Sequence, residues 1–551
     1  MQDNAYKEAL LQAERIYGVT EPASWFIRIH DEVDLKEIQT YEWLRARKPR
    51  GLAANDSYEE SAGAIVVEME QEHFDIRLST YLHEYCHFLQ LTSSPYHFYL
   101  NTVQQYQSSL VIRLCRELAH SEIELPLREF IRTRAIDSTA FQVLMKKYVE
   151  PWERCEKLIR FLEYGEYVET NEPLKPIELY SEVNELLLEF NHQLRELSPI
   201  NTIIRKLLSS FLRGNQLTFD AVRPLISYQP GLRKESQKQP PTISVEENSN
   251  RIGFGGRAIS EGAAASAQFF YIAARQSWTI QSLNTINALA LDEYTTALDA
   301  ASEYEGFNRL GRYSKFFAFY TLCDLALQTP LHPVYSDMVC PELRWNWPDY
   351  HPGHRFCGAL NKIDWNSVPQ VSQEEFEGLW SEDSRQSAVH SLGAKLERFS
   401  NQVCESLGWP KPSDMAKSAS NLASRGDDFI TKLRVKANKL RIECPGLLMI
   451  PLSSQVHAAL PPIGIFAGKE FRGNLMDNAS ASLNALISNY LLNTFSRQIM
   501  SKSSVIFYRQ DSIVYTWLLS AELIEKFKSL FSKIFWIAPD KVERNNDQRN
   551  G

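Results

Sequence analysis

Apolar residues recur at three- and four-residue spacing along most of this chain. The clearest runs are Ile76 to Leu91, Leu110 to Leu118, Phe141 to Tyr148, Ile177 to Phe190, Ile203 to Leu212, Ala258 to Gln276, Tyr294 to Leu327, Ser387 to Leu407 and Ala521 to Phe535. That period puts the apolar side chains on one face of a helix, so the pattern predicts a mainly helical protein. A short helix is also expected over Asn4 to Tyr17. Strand signals are brief. Ala64-Ile65-Val66-Val67-Glu68-Met69 has the β-branched content of a strand, and shorter apolar segments surround Trp25-Phe26-Ile27, Met449 to Leu452 and Val505 to Tyr508. Polar, proline-bearing or irregular stretches separate the periodic ones. Gln229 to Asn250 reads as a surface linker, Gly253-Phe254-Gly255-Gly256 as a hinge, Pro330 to Trp380 as an irregular Trp-, Pro- and His-rich loop, and Asp540 to Gly551 as a frayed tail. No internal repeat is visible.

Composition narrows the class. The 551 residues are 44% hydrophobic and 23% charged, with 23 glycines and 25 prolines, which is the make-up of a folded globular protein rather than a fibrous or disordered one. A formal charge of −9 provides no general field for nucleic acid or an anionic membrane, so neither is expected as a partner. Met1 to Tyr17 lacks the basic start and apolar stretch of a secretion signal. The most apolar run, Leu447 to Gly468, is interrupted by Ser453, Ser454, Gln455, His457 and Pro461-Pro462, too polar for a membrane span. Eight cysteines are scattered without a CxxC pair, which suits reduced thiols in a cytoplasmic protein.

One helix carries chemistry. Asp75 is placed to cap it, Ile76 to Leu91 form its body, and Ser93-Ser94-Pro95 stop it. Within it stands His83-Glu84-Tyr85-Cys86-His87, an HExxH pattern. Residues i and i+4 share a helix face, so both imidazoles reach a single Zn²⁺ while the intervening glutamate stands beside the metal. Two nitrogen ligands, a third ligand and an open position suit hydrolysis, with Glu84 taking a proton from water and passing it to a leaving amine. Cys86 points to another face and reads as core.

The string His83-Glu84-Tyr85-Cys86-His87-Phe88-Leu89-Gln90 resembles the active-site helix of zincin metallopeptidases, especially the HEYxHxLQ form of collagenase-type gluzincins. In that family the third metal ligand is a glutamate on a later helix in a Glu-Gly-x-Ala context. The resemblance therefore assigns the role to Glu261, in Ser260-Glu261-Gly262-Ala263-Ala264. The residues agree with it. Gly262 in an Ala-rich helix costs about 1 kcal/mol relative to alanine, which asks for a close approach by a neighbouring element. Two features differ from the family pattern. The separation of 174 residues between His87 and Glu261 is far longer than usual. Ala265 also stands where many gluzincins have an acid that orients a histidine, which leaves Asp292, Asp299 or a backbone carbonyl for that task. A metzincin would need glycine at 90 and histidine at 93, where Gln90 and Ser93 stand, and His97 falls beyond Pro95. Oxyanion donors by position are Tyr294, Tyr304, His332 and His354. Cys340, His351, His354 and Cys357 could hold a second metal, against the alternative of a loop beside the site.

These readings combine into an expectation of an α+β protein, mainly α with a small β-sheet. A zincin-like core would be built from residues 1–98, with the HExxH helix, and 251–335, with the third ligand. It would be interrupted by a helical insertion and linker at 99–250 and followed by a mixed C-terminal region at 336–551. The expected function is zinc-dependent hydrolysis of peptide bonds in a protein or peptide substrate, with His83, His87 and Glu261 as ligands and Glu84 as general base. The alternatives left open are a zincin-like binding scaffold and a latent protease opened by a regulatory protein partner.

Overall fold

A computed structural model describes residues 18–21, 26–29, 82–121, 139–164, 255–275, 292–329, 351–379, 383–423, 429–443, 464–467, 470–473 and 521–542, with a few single positions between them. The helix expected at Asn4 to Tyr17, the Asp75 cap, the strand at Ala64 to Met69, the runs from Ile177 and Ile203, Val505 to Tyr508, the linker at Gln229 to Asn250 and all but the start of the tail at Asp540 lie outside the described residues. The molecule is mainly helical. Its contacts divide it into two units. One comprises Met1–Tyr99, Leu162–Glu166 and Ile243–Asp477; the other comprises Leu100–Phe161, Tyr167–Thr242 and Asn478–Gly551.

The first unit holds a sheet of four short strands in the order β1-β2-β3-β4: β1 (Gly18–Glu21), β2 (Phe26–Ile29), β3 (Gly464–Ala467) and β4 (Glu470–Gly473). β1 and β2 are antiparallel, as are β3 and β4, whereas β2 and β3 run parallel with Ile27 opposite Ile465. Parallel partners cannot be joined by a tight turn, and here the crossover is most of the chain.

Helix α1 (residues 82–93) is buried nearly all round, and within it His87 is the one position of intermediate exposure. A helix with no solvent face belongs in a core, and its polar residues must find partners there. It ends where the sequence predicted, because Pro95 has no N–H to continue the ladder. Ser94 N–H still reaches the Gln90 carbonyl at 3.0 Å. Hydroxyls take up carbonyls of the last turn: Thr92 Oγ1 donates to Phe88 O and Leu89 O, and Ser93 Oγ donates to Leu89 O at 2.7 Å. The chain turns helical again at once, in Pro95–Ala119.

Helix α2 (Gly256–Arg275) packs on α3 (Asp292–Ser302) and α4 (Arg312–Leu327), and its Ile259, Ala263, Ala264 and Ala267 are buried. The run from Tyr294 to Leu327 is thus not continuous; it breaks around Tyr304 and Gly311, with a short turn Glu305–Asn308 between. A Cβ at Gly262 would sit 3.3 Å from both Ala297 Cβ and Phe319 Cζ, so the glycine marks the close approach that its cost implied. Of the hinge expected at Gly253 to Gly256, only Gly255 and Gly256 are described, and both are packing points. A Cβ at Gly255 would strike the Leu162 carbonyl at 2.4 Å, and one at Gly256 would strike the Tyr96 ring at 2.3 Å.

The stretch read as an irregular loop also differs. Helix α5 (Pro352–Lys362) and the capped turn Gln373–Glu377 lie within it. Periodicity over so short a length is masked by the prolines and histidines around it, but Pro352 sits in the first turn, where its missing N–H costs nothing. Arg355, on α5, is buried and donates to the carbonyls of Leu325, Ala326 and Gln328 at the C-terminal end of α4, while its guanidinium stacks 3.7 Å over Trp409. Beyond α6 (Arg385–Leu407) and α7 (Pro412–Ala423), helix α8 (Phe429–Glu443) returns Arg441 to the centre of the unit. That side chain pairs with both oxygens of Asp324, at 2.8 and 3.0 Å, and reaches Ser93 Oγ at 3.0 Å, joining α8, α4 and the end of α1.

In the second unit, Thr139–Leu144 runs through a π-helical turn, Met145–Val149, into Glu150–Tyr164. Lys147 and Tyr148 on that turn both engage Glu117. The C-terminal helix Ala521–Phe535 lies where its periodicity placed it and ends at Trp536, whose φ of 65° and Arg116 neighbour, 4.3 Å from the ring, mark the terminus. Among the described residues, no helix is long and apolar enough to cross a membrane. The described cysteines Cys86, Cys115, Cys155, Cys323, Cys357 and Cys404 are free thiols.

Candidate metal centre

His83 and His87 lie one turn apart on α1, with ring centroids 5.0 Å apart and planes at 78°. α2 delivers Glu261 opposite them. Glu261 Oε2 is 3.4 Å from His83 Nε2 and 3.1 Å from His87 Nε2. The candidate ligand atoms of these three residues all lie within 4.8 Å of one another, and no other such group occurs among the described residues. Glu84 stands beside them, with Oε1 4.0 Å from His83 Nε2, and is only 1% exposed.

This donor set fits zinc. Two imidazole nitrogens and a carboxylate oxygen are the borderline ligands of catalytic zinc sites. For bonds of roughly 2.0–2.1 Å in a tetrahedron, neighbouring ligand atoms lie about 3.3 Å apart. The two nitrogen-to-oxygen separations are close to that edge length and also within ion-pair reach, so the three side chains could hold an ion with little movement.

Electrostatics describe the same grouping without metal. Burial would lower the His87 pKa, but the Glu261 carboxylate, followed by Glu84 and the Gln90 amide, pushes it up to about 9. Burial would raise that of Glu261, and the charge of His87 with hydrogen bonds from both histidines and the field of Arg257 holds it well below the usual carboxylate value. Cys86 is buried against Tyr320, 3.5 Å away, and its thiol is pushed up to about 12, so it is an inert core group rather than a nucleophile.

The remaining candidates fall into place around this group. Tyr294 is the oxyanion candidate beside it, its ring 5.7 Å from that of His83. Tyr304 donates to Asn361 Oδ1 at 2.7 Å instead. His354 is exposed on α5, and His332 lies outside the described residues. His97 is bound to Ser94 Oγ at 2.7 Å and, mainly through burial, its pKa is lowered to about 3. Asp299 faces solvent. Of the second cluster, Cys340 is outside the described residues, and His351 caps α5, its Nδ1 accepting the His354 N–H at 3.1 Å. His351, His354 and Cys357 do not form a metal-ligand group.

Gln90 is the residue that sequence reasoning passed over. Its Oε1 lies 2.9 Å from His87 Nδ1 and its Nε2 donates to the Ser260 carbonyl at 3.1 Å. The signal available was its spacing, three residues after His87 and so on the same face. No protein-family model, no curated protein and no solved structure matches the chain.

Proposed function

We propose that this protein is a zinc-dependent metallopeptidase acting on a protein or peptide substrate, with an α+β zincin-like core. The observation that carries the reading is the convergence of His83, His87 and Glu261 from helices 174 residues apart in sequence, with Glu84 beside them. His83, His87 and Glu261 would hold the ion. When bound, zinc supplies a Lewis acid that makes water nucleophilic near neutral pH. Glu84, desolvated and fixed on a rigid buried helix, accepts the proton of the attacking water at its carboxylate and delivers it to the leaving amine. Tyr294, its ring 5.7 Å from that of His83, would be the hydroxyl donor to a developing oxyanion.

The test is zinc content and proteolysis of wild type beside Glu84→Gln. Retained zinc with peptide hydrolysis reduced by about 100-fold or more supports the assignment. Equal hydrolysis by both proteins removes Glu84 from the mechanism.

The 1% and 2% exposures of Glu84 and His83 favour a second form of the same reading, a protease held latent until a partner protein or truncation opens the site. It predicts little turnover by the intact chain and a rise after limited proteolysis, with Glu84→Gln inactive in both states.

A further inference from the structure

We propose that Gln90 is the positioning residue that sets which nitrogen of His87 faces the metal, an inference that rests on the zinc reading above. The Ser260 carbonyl can only accept, so the group 3.1 Å from it must be the Gln90 amide NH₂. The same nitrogen lies 3.7 Å from Cys86 Sγ. The Gln90 oxygen is thereby turned toward His87 Nδ1 at 2.9 Å, and an amide oxygen also only accepts, so Nδ1 carries a proton. His87 Nε2 is left as the nitrogen that can exchange its own proton for a metal, and it is the atom that faces Glu261 Oε2 at 3.1 Å.

Gln90 is 6% exposed, so water does not compete for these bonds. Its anchor is the residue immediately before Glu261. One amide therefore orients a ligand on α1 by gripping the backbone of α2, which delivers the third ligand after a 170-residue separation from Gln90. It does so with a neutral group, adding no charge beside Glu261.

The experiment compares wild type with Gln90→Met, which keeps length and removes both hydrogen bonds, and with Gln90→Glu, which keeps the acceptor for Nδ1. Zinc affinity is measured by chelator competition, the absorption spectrum of the Co²⁺-loaded protein reports ligand geometry, and melting in excess chelator reports the fold. Gln90→Met is expected to lose about 10- to 100-fold in zinc affinity with an altered Co²⁺ spectrum, and Gln90→Glu to stay within about threefold of wild type. A role only in holding α1 to α2 would weaken both variants equally, since both lose the amide donor to Ser260, and that result overturns the proposal. So does a Gln90→Met protein that binds zinc as wild type does. Should the methionine variant not fold, Gln90→Asn, which withdraws the oxygen by one methylene, must show the loss instead. A wild type that holds no zinc overturns the zinc reading and this inference together, whereas normal wild-type binding with unchanged variants overturns this inference alone.

Discussion

Two segments of the molecule carry a close pair of histidines, and they use them differently. His83 and His87 lie one turn apart on α1, and α2 brings Glu261 Oε2 within 3.4 and 3.1 Å of their Nε2 atoms. His351 and His354 sit at the start of α5, where the first N–H groups have no partner in the helix. The nearest acceptor is taken up by that deficit, and His351 Nδ1 receives the His354 N–H. The same side chain thus becomes a candidate ligand or a helix cap according to what packs against it, and among the described residues only the first pair joins a carboxylate in a metal-ligand group.

The sharpest way to break this comparison is to remove one imidazole from each segment. His87→Ala should lower zinc affinity by about 1,000-fold or more, reading as an empty site in metal analysis, while His351→Ala should keep wild-type zinc stoichiometry. Zinc lost equally from both would erase the distinction.

The next largest effect tests how α1 is held in place. Arg441→Met leaves the half-buried Asp324 without its charge partner and releases Ser93, and should cost about 3 kcal/mol in denaturant unfolding. The double variant Arg441→Met with Asp324→Leu should recover much of that. A single variant as stable as wild type would mean that α1 does not depend on this anchor.

pH separates the two segments more gently. The His87 pKa is raised to about 9 in the metal-free protein, above the ordinary value near 6.5. Its pairing with Glu261 therefore adds stability that is fully present below about pH 6.5 and is lost as pH rises through about 9. In chelator, melting temperature should fall over that window in wild type and the fall should flatten in His87→Ala. Zinc affinity should move the other way, tightening roughly tenfold per unit between pH 7 and 9 as the Nε2 proton is displaced. An affinity independent of pH would show that no proton leaves His87.

The smallest effect belongs to the cap. His351→Ala should cost about 1 kcal/mol of stability, and His351→Asn or His351→Asp should restore most of it by accepting the same N–H. A loss of several kcal/mol would mean that His351 does more than cap α5.

Much of this was legible in the chain because helices are local. The periods at Ala258 to Gln276, Ser387 to Leu407 and Ala521 to Phe535 appear as α2, α6 and the C-terminal helix, within a residue or two at each end. What failed was local in the same sense. Tyr294 to Leu327 keeps an apolar period across breaks at Tyr304 and Gly311, so one run hid separate helices. α5 is short and bordered by prolines, so a helix looked like a loop. Gly255 and Gly256 suggested freedom, because the groups that demand their missing side chains, the Leu162 carbonyl and the Tyr96 ring, are about 90 and 160 residues away.

The sequence by itself determined that His83 and His87 share a face, that Glu84 stands between them, and that α1 ends at Pro95, since each follows from helix geometry over a few residues. Resemblance pointed to Glu261 and the tertiary structure brings it to both histidines; tertiary structure alone decided that Gln90 bridges His87 to the Ser260 backbone and that Arg441 ties α8 and α4 to the end of α1. The contacts between helices join residues 117 to 348 positions apart. No local period encodes such a meeting; it arises only when buried helices pack and every polar group inside must find a partner.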